Sequence, residues 1–341
     1  MKASELKKVI ANAKKVIKTR NTLYQIDNAK IEGGFLTVSD LDITYSQRID
    51  ISENVSTTID FKELEKIVKR APKTADIRIN AKDFDLVSLE FNKSKFSYKT
   101  CTVDEYNDCI KNILNQDIEQ KDVFTEEIVK ELKTCTKFVA NDPLRVVMNG
   151  VYLSSKGNIV ASDSHVMRFR QMNHNIKSKP IIPVKAIKAL SIAQYVCYES
   201  EKYITLANEK EIFTIRKIEG NYPKWKAVIP EMFETVATLD KNELIEQTKL
   251  AEIAANQASH LIKFSLTENS NISSQDLDFE RWYRGEIECK LQGQPQEIGV
   301  KSDNILKILD NCEGEKIKLE IVDPSRAIRV NESNLIMPMM L

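Results

Sequence analysis

A chain of 341 residues is too long for a single core of ordinary size, so two or three domains are expected. It is 42% hydrophobic and 29% charged with only 9 Gly and 9 Pro, which excludes a disordered or linker-rich chain. Lysine plus arginine and aspartate plus glutamate both total 50, so net charge excludes neither a basic nor an acidic partner; only its distribution can inform.

The first predicted element is a helix with Ser4 as its N-cap, in which Leu6, Val9, Ile10, Ala13, Val16 and Ile17 make one apolar stripe. Lys7, Lys8, Lys14, Lys15 and Lys18 lie opposite, Arg20 follows, and only Glu5 opposes them. Short alternating segments over Lys30–Val38 and Asp42–Arg48 read as strands. A strand over Val55–Ile59 leads into a helix from Asp60, with Phe61, Leu64, Ile67, Val68 and Ala71 inward and Lys62, Lys66, Lys69 and Arg70 outward. Strands over Ala75–Asn80, Leu86–Phe91 and Phe96–Thr100 close this unit.

The grammar then recurs. A helix near Thr125 turns Ile128, Leu132, Cys135 and Val139 inward, and another near Asp240 turns Leu244, Thr248, Ala251 and Ala255 inward. Equating Leu6, Ile128 and Leu244 gives offsets of 122 and 116 residues, and equating Ile59, Ile182 and Ile298 gives 123 and 116. The predicted fold is therefore α+β: three similar domains over 1–117, 118–232 and 233–341, each of two strand–helix–strands units, with successive domains joined strand to strand and all the helices on one side. Helix charges of about +4 and +2, then 0 and +2, then −2 and 0 place a basic bias in the helical layer, strongest in the first domain. Any one such face is explained by solvated lysines; the bias over the set points to a phosphate-facing surface.

Arg145–Arg170 reads as strands over Arg145–Ser154 and Asn158–Ala161, joined by Ser155-Lys156-Gly157 and ending in the polar knot Ser162-Asp163-Ser164-His165. Asp163 and His165 could be metal ligands or an acid/base pair of a hydrolase. A metal needs three or four convergent ligands, however, and His174 and His260 lie in unrelated contexts. A turn-capping role suits Asp163 better. Cys101, Cys109, Cys135, Cys197, Cys289 and Cys312 form no CxxC pair and no zinc spacing, so reduced and mostly buried thiols are expected, and no cofactor. There is no GxxxxGK[ST] loop and no GxSxG elbow. No apolar run approaches the roughly 18 residues of a membrane span, and MKASELKKVI opens straight into a helix, so a cytoplasmic, non-catalytic protein without a membrane partner is expected.

The segment MNGVYL…IVASDSHVMRF resembles the bacterial replication sliding clamp, the beta subunit of DNA polymerase III, whose usual pattern runs NG…L.VATDGHRL. EGNYPKWKAVIP at Glu219–Pro230 and the terminal LIMPMML are similar to that family's G.FPDY..v.P and VMPMRL. The resemblance spans the whole chain in the right order and implies a head-to-tail homodimeric ring of six domains around double-stranded DNA, with the helices lining the hole. The implied partners are the polymerase III alpha subunit, the clamp loader and other proteins carrying a clamp-binding peptide such as Q-L-x-L-F. Arg20, in TRNTLYQI, matches the family's DNA-contacting arginine; Lys14, Lys18, Lys66, Lys69, Arg70, Lys185 and Lys188 are added from the helix faces. The implied peptide groove is Met148, Ser162, Ser164, His165, Val166, Met167, Pro230, Leu335, Ile336, Met337, Pro338, Met339, Met340 and Leu341. Ile67 and Ala71 match the domain-one side of the dimer interface, and both also read as core. The chain departs from the family at Ser164, where the family has Gly, and at Val166 and Met340, where it has Arg; Ser259 and Lys301 also stand where relatives place aromatic or polar groove residues. A greasier groove, less dependent on a peptide carboxylate or glutamine, is the expected consequence.

Overall fold

A computed structural model describes residues 1–17, 23–83, 85–114 and 116–341. They gather into two compact units, residues 1–133 with 173–218, and residues 134–172 with 219–341. Residues 118–232, expected to be one central domain, contribute to both.

In the first unit an antiparallel sheet runs in the order Thr57–Asp60, Asn28–Glu32, Phe35–Ser39, Ile43–Arg48, Glu211–Arg216, Tyr203–Ala207, Tyr195–Glu199, Glu119–Phe124. Its seam is the pairing of Ile43–Arg48 with Glu211–Arg216, where Phe213 sits opposite Tyr45 with the rings 4.5 Å apart. A three-stranded sheet follows in the order Arg78–Asp83, Leu86–Phe91, Ser94–Lys99.

Helix α1 (Ala3–Ala13) packs on α2 (Phe61–Arg70) through the predicted stripe, with Leu6, Val9, Ile10 and Ala13 buried against Leu64, Ile67 and Val68 in the same core. The N-cap of α1 is Lys2, not Ser4, because the first turn is held from outside: the Ala3 and Ser4 amides donate to the carbonyls of Ala75 and Lys73. Asp60 does cap α2, accepting from the Glu63 amide at 2.8 Å. An unpredicted helix, α3 (Val103–Leu114), buries Tyr106, Ile110 and Ile113 in a cluster with Ile26, Cys101 and Tyr203. Helix α4 (Glu126–Cys135) turns Ile128 and Leu132 inward as expected, but Val139 lies beyond its end and the buried residue there is Phe138. Helix α5 (Val184–Ala189) is short, and Lys133 Nζ donates to the carbonyls of Ile187 and Lys188 at its end.

In the second unit a sheet runs in the order Gly150–Leu153, Asn158–Ser162, Val166–Gln171, Asn334–Ile336, Ile328–Val330, Lys316–Ile321, Thr235–Asp240, Cys289–Gly293. Here too a seam joins distant parts of the chain, Val166–Gln171 pairing with Asn334–Ile336. A four-stranded sheet runs in the order Arg281–Glu286, Asn271–Asp276, Leu261–Leu266, Gln296–Lys301. Helix α6 (Lys241–Ala254) packs on that sheet and on α7 (Ser302–Leu309). The predicted strand Arg145–Ser154 is shorter than expected: Val146–Met148 is a 3-10 turn, and the strand is Gly150–Leu153.

Among the described residues no helix is long and apolar enough to cross a membrane. All six cysteines are free thiols; Cys101, Cys135, Cys197 and Cys312 are buried.

Candidate functional site: an apolar groove and a basic helix face

The polar knot Ser162–His165 is a tight turn between two strands of the second unit. Asp163 Oδ1 accepts from the His165 and Val166 amides, both at 2.9 Å, and Asp163 Oδ2 accepts from Lys307 Nζ at 3.1 Å. Ser162 Oγ accepts from the Ser164 amide and donates to the Val166 carbonyl. Every acceptor of Asp163 is therefore used to shape the turn, and the exposed His165 has no acid/base partner in it. The hydrolase reading loses its chemical pair.

The turn forms one wall of a groove of about 380 Å³. The floor is Met148, Met167 and Leu335, with Met337 at its side; all but Met337 are buried, and Met337 is half-open at 38% exposure. The strand register places them. Met167 pairs with Leu335 and Val166 with Ile336, so alternation turns Met167 and Leu335 to one face of the sheet. The opposite wall was missed by the sequence reading: Tyr222, Pro223, Lys224, Trp225 and Val228, on an irregular arm ending in the 3-10 turn Trp225–Val228. Two aromatic contacts pin this arm to the sheet. Tyr222 stacks on Tyr152 with centroids 4.8 Å apart, and Trp225 lies against Phe169 at 5.8 Å. Burial pushes the Tyr222 hydroxyl well above the ordinary tyrosine value. Only the resemblance of EGNYPKWKAVIP to its family pattern pointed to this arm, and it had yielded Pro230 alone.

Of the fourteen groove residues predicted, Met148, Ser162, Ser164, His165, Val166, Met167, Leu335 and Met337 line the groove. Pro230, Ile336, Pro338, Met339, Met340 and Leu341 do not. Ile336 faces the other side of the sheet by alternation and is 1% exposed. The Met339 amide donates to the Gly299 carbonyl, which draws the tail away, and Leu341 lines a separate cleft with Leu261. Ser259 belongs to that cleft as well, and Lys301 pairs with Asp303, so neither is a groove residue. At the rim, Arg145 donates to Ser164 Oγ and, at 2.7 Å, to Asp142; this hydrogen bond holds the Asp142 carboxyl below the usual carboxylate range. A cation thus stands at the mouth of the groove although Val166 and Met340 replace arginines of the family pattern.

The predicted phosphate-facing residues lie in the first unit. Lys69, Arg70 and Lys188 are exposed, with no ion-pair partner among the described residues. Lys14 and Lys66 are exposed but pair with Glu65 at 2.6 Å and Glu63 at 2.7 Å, contacts weak enough for a phosphate to displace. Lys185 must be corrected. Its ammonium pairs with Asp40, whose carboxylate is 1% exposed and also accepts from the Ile43 amide, so this charge neutralises a buried acid. Lys18 and Arg20 lie outside the described residues. Ile67 and Ala71 are 6% and 2% exposed and belong to the core of the first unit, which leaves them little surface to offer a partner.

Comparison with known proteins agrees with this geometry. Residues 226–339 match the family model described as DNA polymerase III beta subunit, C-terminal domain. The chain is 21% identical to the beta sliding clamp of Haemophilus influenzae over 336 residues, covering 92% of this chain and 88% of that one. It is 24% identical to the beta sliding clamp of Treponema pallidum over 364 aligned positions, covering 97% and 96%. Its fold matches the beta subunit from DNA polymerase of Streptococcus pyogenes with a TM-score of 0.88 at 18% identity, covering 100% of this chain and 99% of that one. A sliding clamp from Pseudomonas aeruginosa bound to griselimycin matches with the same score at 19% identity, covering 100% and 98%. With the helix and strand grammar repeated along its whole length, and the motif turn, the arm and the last strand meeting at one groove, the chain is a divergent member of the DNA polymerase III beta subunit family, the bacterial sliding clamps.

Proposed function

We propose that this protein is a non-catalytic DNA sliding clamp: a cytoplasmic head-to-tail homodimer that encircles duplex DNA and holds a replicative polymerase on it. The observation that carries this reading is the groove of about 380 Å³, walled by Met148, Met167, Trp225, Leu335 and Met337. Flexible, polarizable methionine side chains beside one fixed aromatic ring suit a site that accepts leucine and phenylalanine anchors from several partner peptides. The polymerase III alpha subunit, the clamp loader and other clamp-motif proteins would share it. The exposed cations Lys69, Arg70 and Lys188, with Lys14 and Lys66, would meet phosphates without reading bases, as a sliding contact requires. Lys18 and Arg20 would extend that face.

Three similar domains, 1–117, 118–232 and 233–341, fit this role, and their markers support it: Leu6, Ile128 and Leu244 are all buried on helices, and Ile59, Ile182 and Ile298 all lie in the strand before a helix. For the dimer contact, edge strands are better candidates than the buried Ile67 and Ala71. Ser94–Lys99 and Arg281–Glu286 each end a sheet and each has one partner strand among the described residues. Trp282, on the second, is 77% exposed. Pairing the two edges between copies would satisfy both sets of backbone groups and close a ring.

The test is topological. The protein is loaded by a clamp loader onto nicked circular DNA, which is then cut. A ring slides off the new ends; retention after cutting overturns the ring and favours a docking scaffold that shares the fold. The groove is tested separately by calorimetry with a Q-L-x-L-F peptide, whose affinity should fall by about 2 kcal/mol or more in Trp225→Ala if that ring is an anchor.

A further inference from the structure

We propose that Glu252, His260 and Asp303 form a site for a divalent transition-metal ion, with Zn²⁺ the best match to one imidazole nitrogen and two carboxylate oxygens. Glu252 is in the last turn of α6, His260 ends the loop that follows, and Asp303 is in the first turn of α7. Their ligand atoms all lie within 4.8 Å of one another, the one such group of three among the described residues. His260 Nδ1 is 3.6 Å from Glu252 Oε1, too far for a good hydrogen bond. Two ligands held tetrahedrally at about 2.0–2.1 Å from Zn²⁺ are themselves about 3.4 Å apart, so this separation fits an ion between them better than a direct bond.

The histidine is held for the task. Its backbone amide donates to the Asn256 carbonyl, its carbonyl accepts from the Ser302 amide at 2.9 Å, and Asn256 Oδ1 accepts from the Ala258 and Ser259 amides within the same loop. Those bonds keep His260 at φ +49, a left-handed conformation that this residue adopts only when its surroundings over-determine it. Glu252 and Asp303 then approach from two different helices. The one competing cation is Lys301, whose Nζ is 3.6 Å from Asp303 Oδ2 and whose flexible stem lets it swing into solvent when a metal binds. A bound ion would tie α6, the loop and α7 together and neutralise two carboxylates with one dication, leaving coordination positions for water.

The metal-stripped full chain, titrated with Zn²⁺ by calorimetry and with Co²⁺ by visible absorption, tests the site. One equivalent should bind, with a tetrahedral Co²⁺ spectrum lacking thiolate charge-transfer bands, and Zn²⁺ should raise the thermal midpoint. His260→Gln and the near-isosteric Asp303→Asn, each checked for native circular dichroism, should lose the bound equivalent and the thermal shift. Absence of saturable binding in the wild type, thiolate bands in the Co²⁺ form, or wild-type affinity in both variants overturns the assignment.

Discussion

Ser164 stands where the family pattern has glycine, and its φ is +82. That backbone angle explains the glycine: the turn needs a left-handed residue between Asp163 and His165, and a side chain there costs about 1–2 kcal/mol. In this protein Ser164 is kept in place by its amide bond to Ser162 Oγ and by Arg145, which donates to its hydroxyl. Those contacts offset only part of the strain. Ser164→Gly should therefore stabilise the protein by about 0.5–1 kcal/mol in urea denaturation, even though it deletes a side-chain hydrogen bond. It should also free Arg145 at the groove mouth and so alter the affinity for an acidic peptide more than for a neutral one. A fall in stability would mean that the Arg145 contact outweighs the backbone strain. Sequence could place Asp163 as a turn acceptor from its spacing alone. It could not reveal that Ser164 carries the unusual angle, because three polar residues in a row present no periodicity from which to assign backbone conformation.

At the scale of elements, what was legible is what repeats every three or four residues. The stripes of α1, α2, α4 and α6 and the aspartate caps of α2 and α6 follow from local pattern. Helix α3 escaped because only Tyr106, Ile110 and Ile113 mark its buried side, among Asp104, Asn107, Asp108 and Asn112, which individually favour caps and turns. The Tyr222–Val228 arm escaped because it is nearly all irregular and gets its place from stacking on Tyr152 and Phe169, residues about 70 and 56 positions away, which no local rule detects. The cap of α6 gives a pH prediction. Amides donated by Glu243, then Asn242, and the nearby Lys316 hold the Asp240 carboxyl below the ordinary aspartate range, against some opposing desolvation. Because the folded value lies below the unfolded one, the carboxylate contributes its full stability above the ordinary aspartate range and loses it as pH falls through the folded value. Asp240→Asn should thus melt below the wild type at neutral pH, with the gap closing on acidification. A gap that stays constant down to pH values below the aspartate range would assign the cap's effect to shape and not to charge.

For the molecule as a whole, offsets of 122 and 116 residues identified equivalent positions correctly at the level of elements, since the equated residues are all buried at matching places on helices and strands. Periodicity along the chain says nothing about which strands join, and the seams between Ile43–Arg48 and Glu211–Arg216, and between Val166–Gln171 and Asn334–Ile336, gather the structure into two compact units that each take part of residues 118–232. The same blindness affects charge. Counting lysines on helix faces cannot distinguish Lys185, spent on the buried Asp40, from Lys69 and Arg70, which face solvent on α2. If the exposed cations are those that meet DNA, their removal must show in the ionic-strength dependence of binding and not in the fold. Direct binding to linear duplex, without loading, should be weak, with log K falling linearly against log salt. Replacing Lys69 and Arg70 together by alanine should reduce that slope by about 2, near 0.9 per phosphate contact, while the thermal midpoint stays within about a degree or two because neither side chain is buried. Lys185→Ala should do the reverse: it strands the Asp40 carboxylate and lowers stability, by about 3 kcal/mol if the site stays dry, with little change in slope. Finding the larger slope change in Lys185→Ala would place the DNA face elsewhere than on α2.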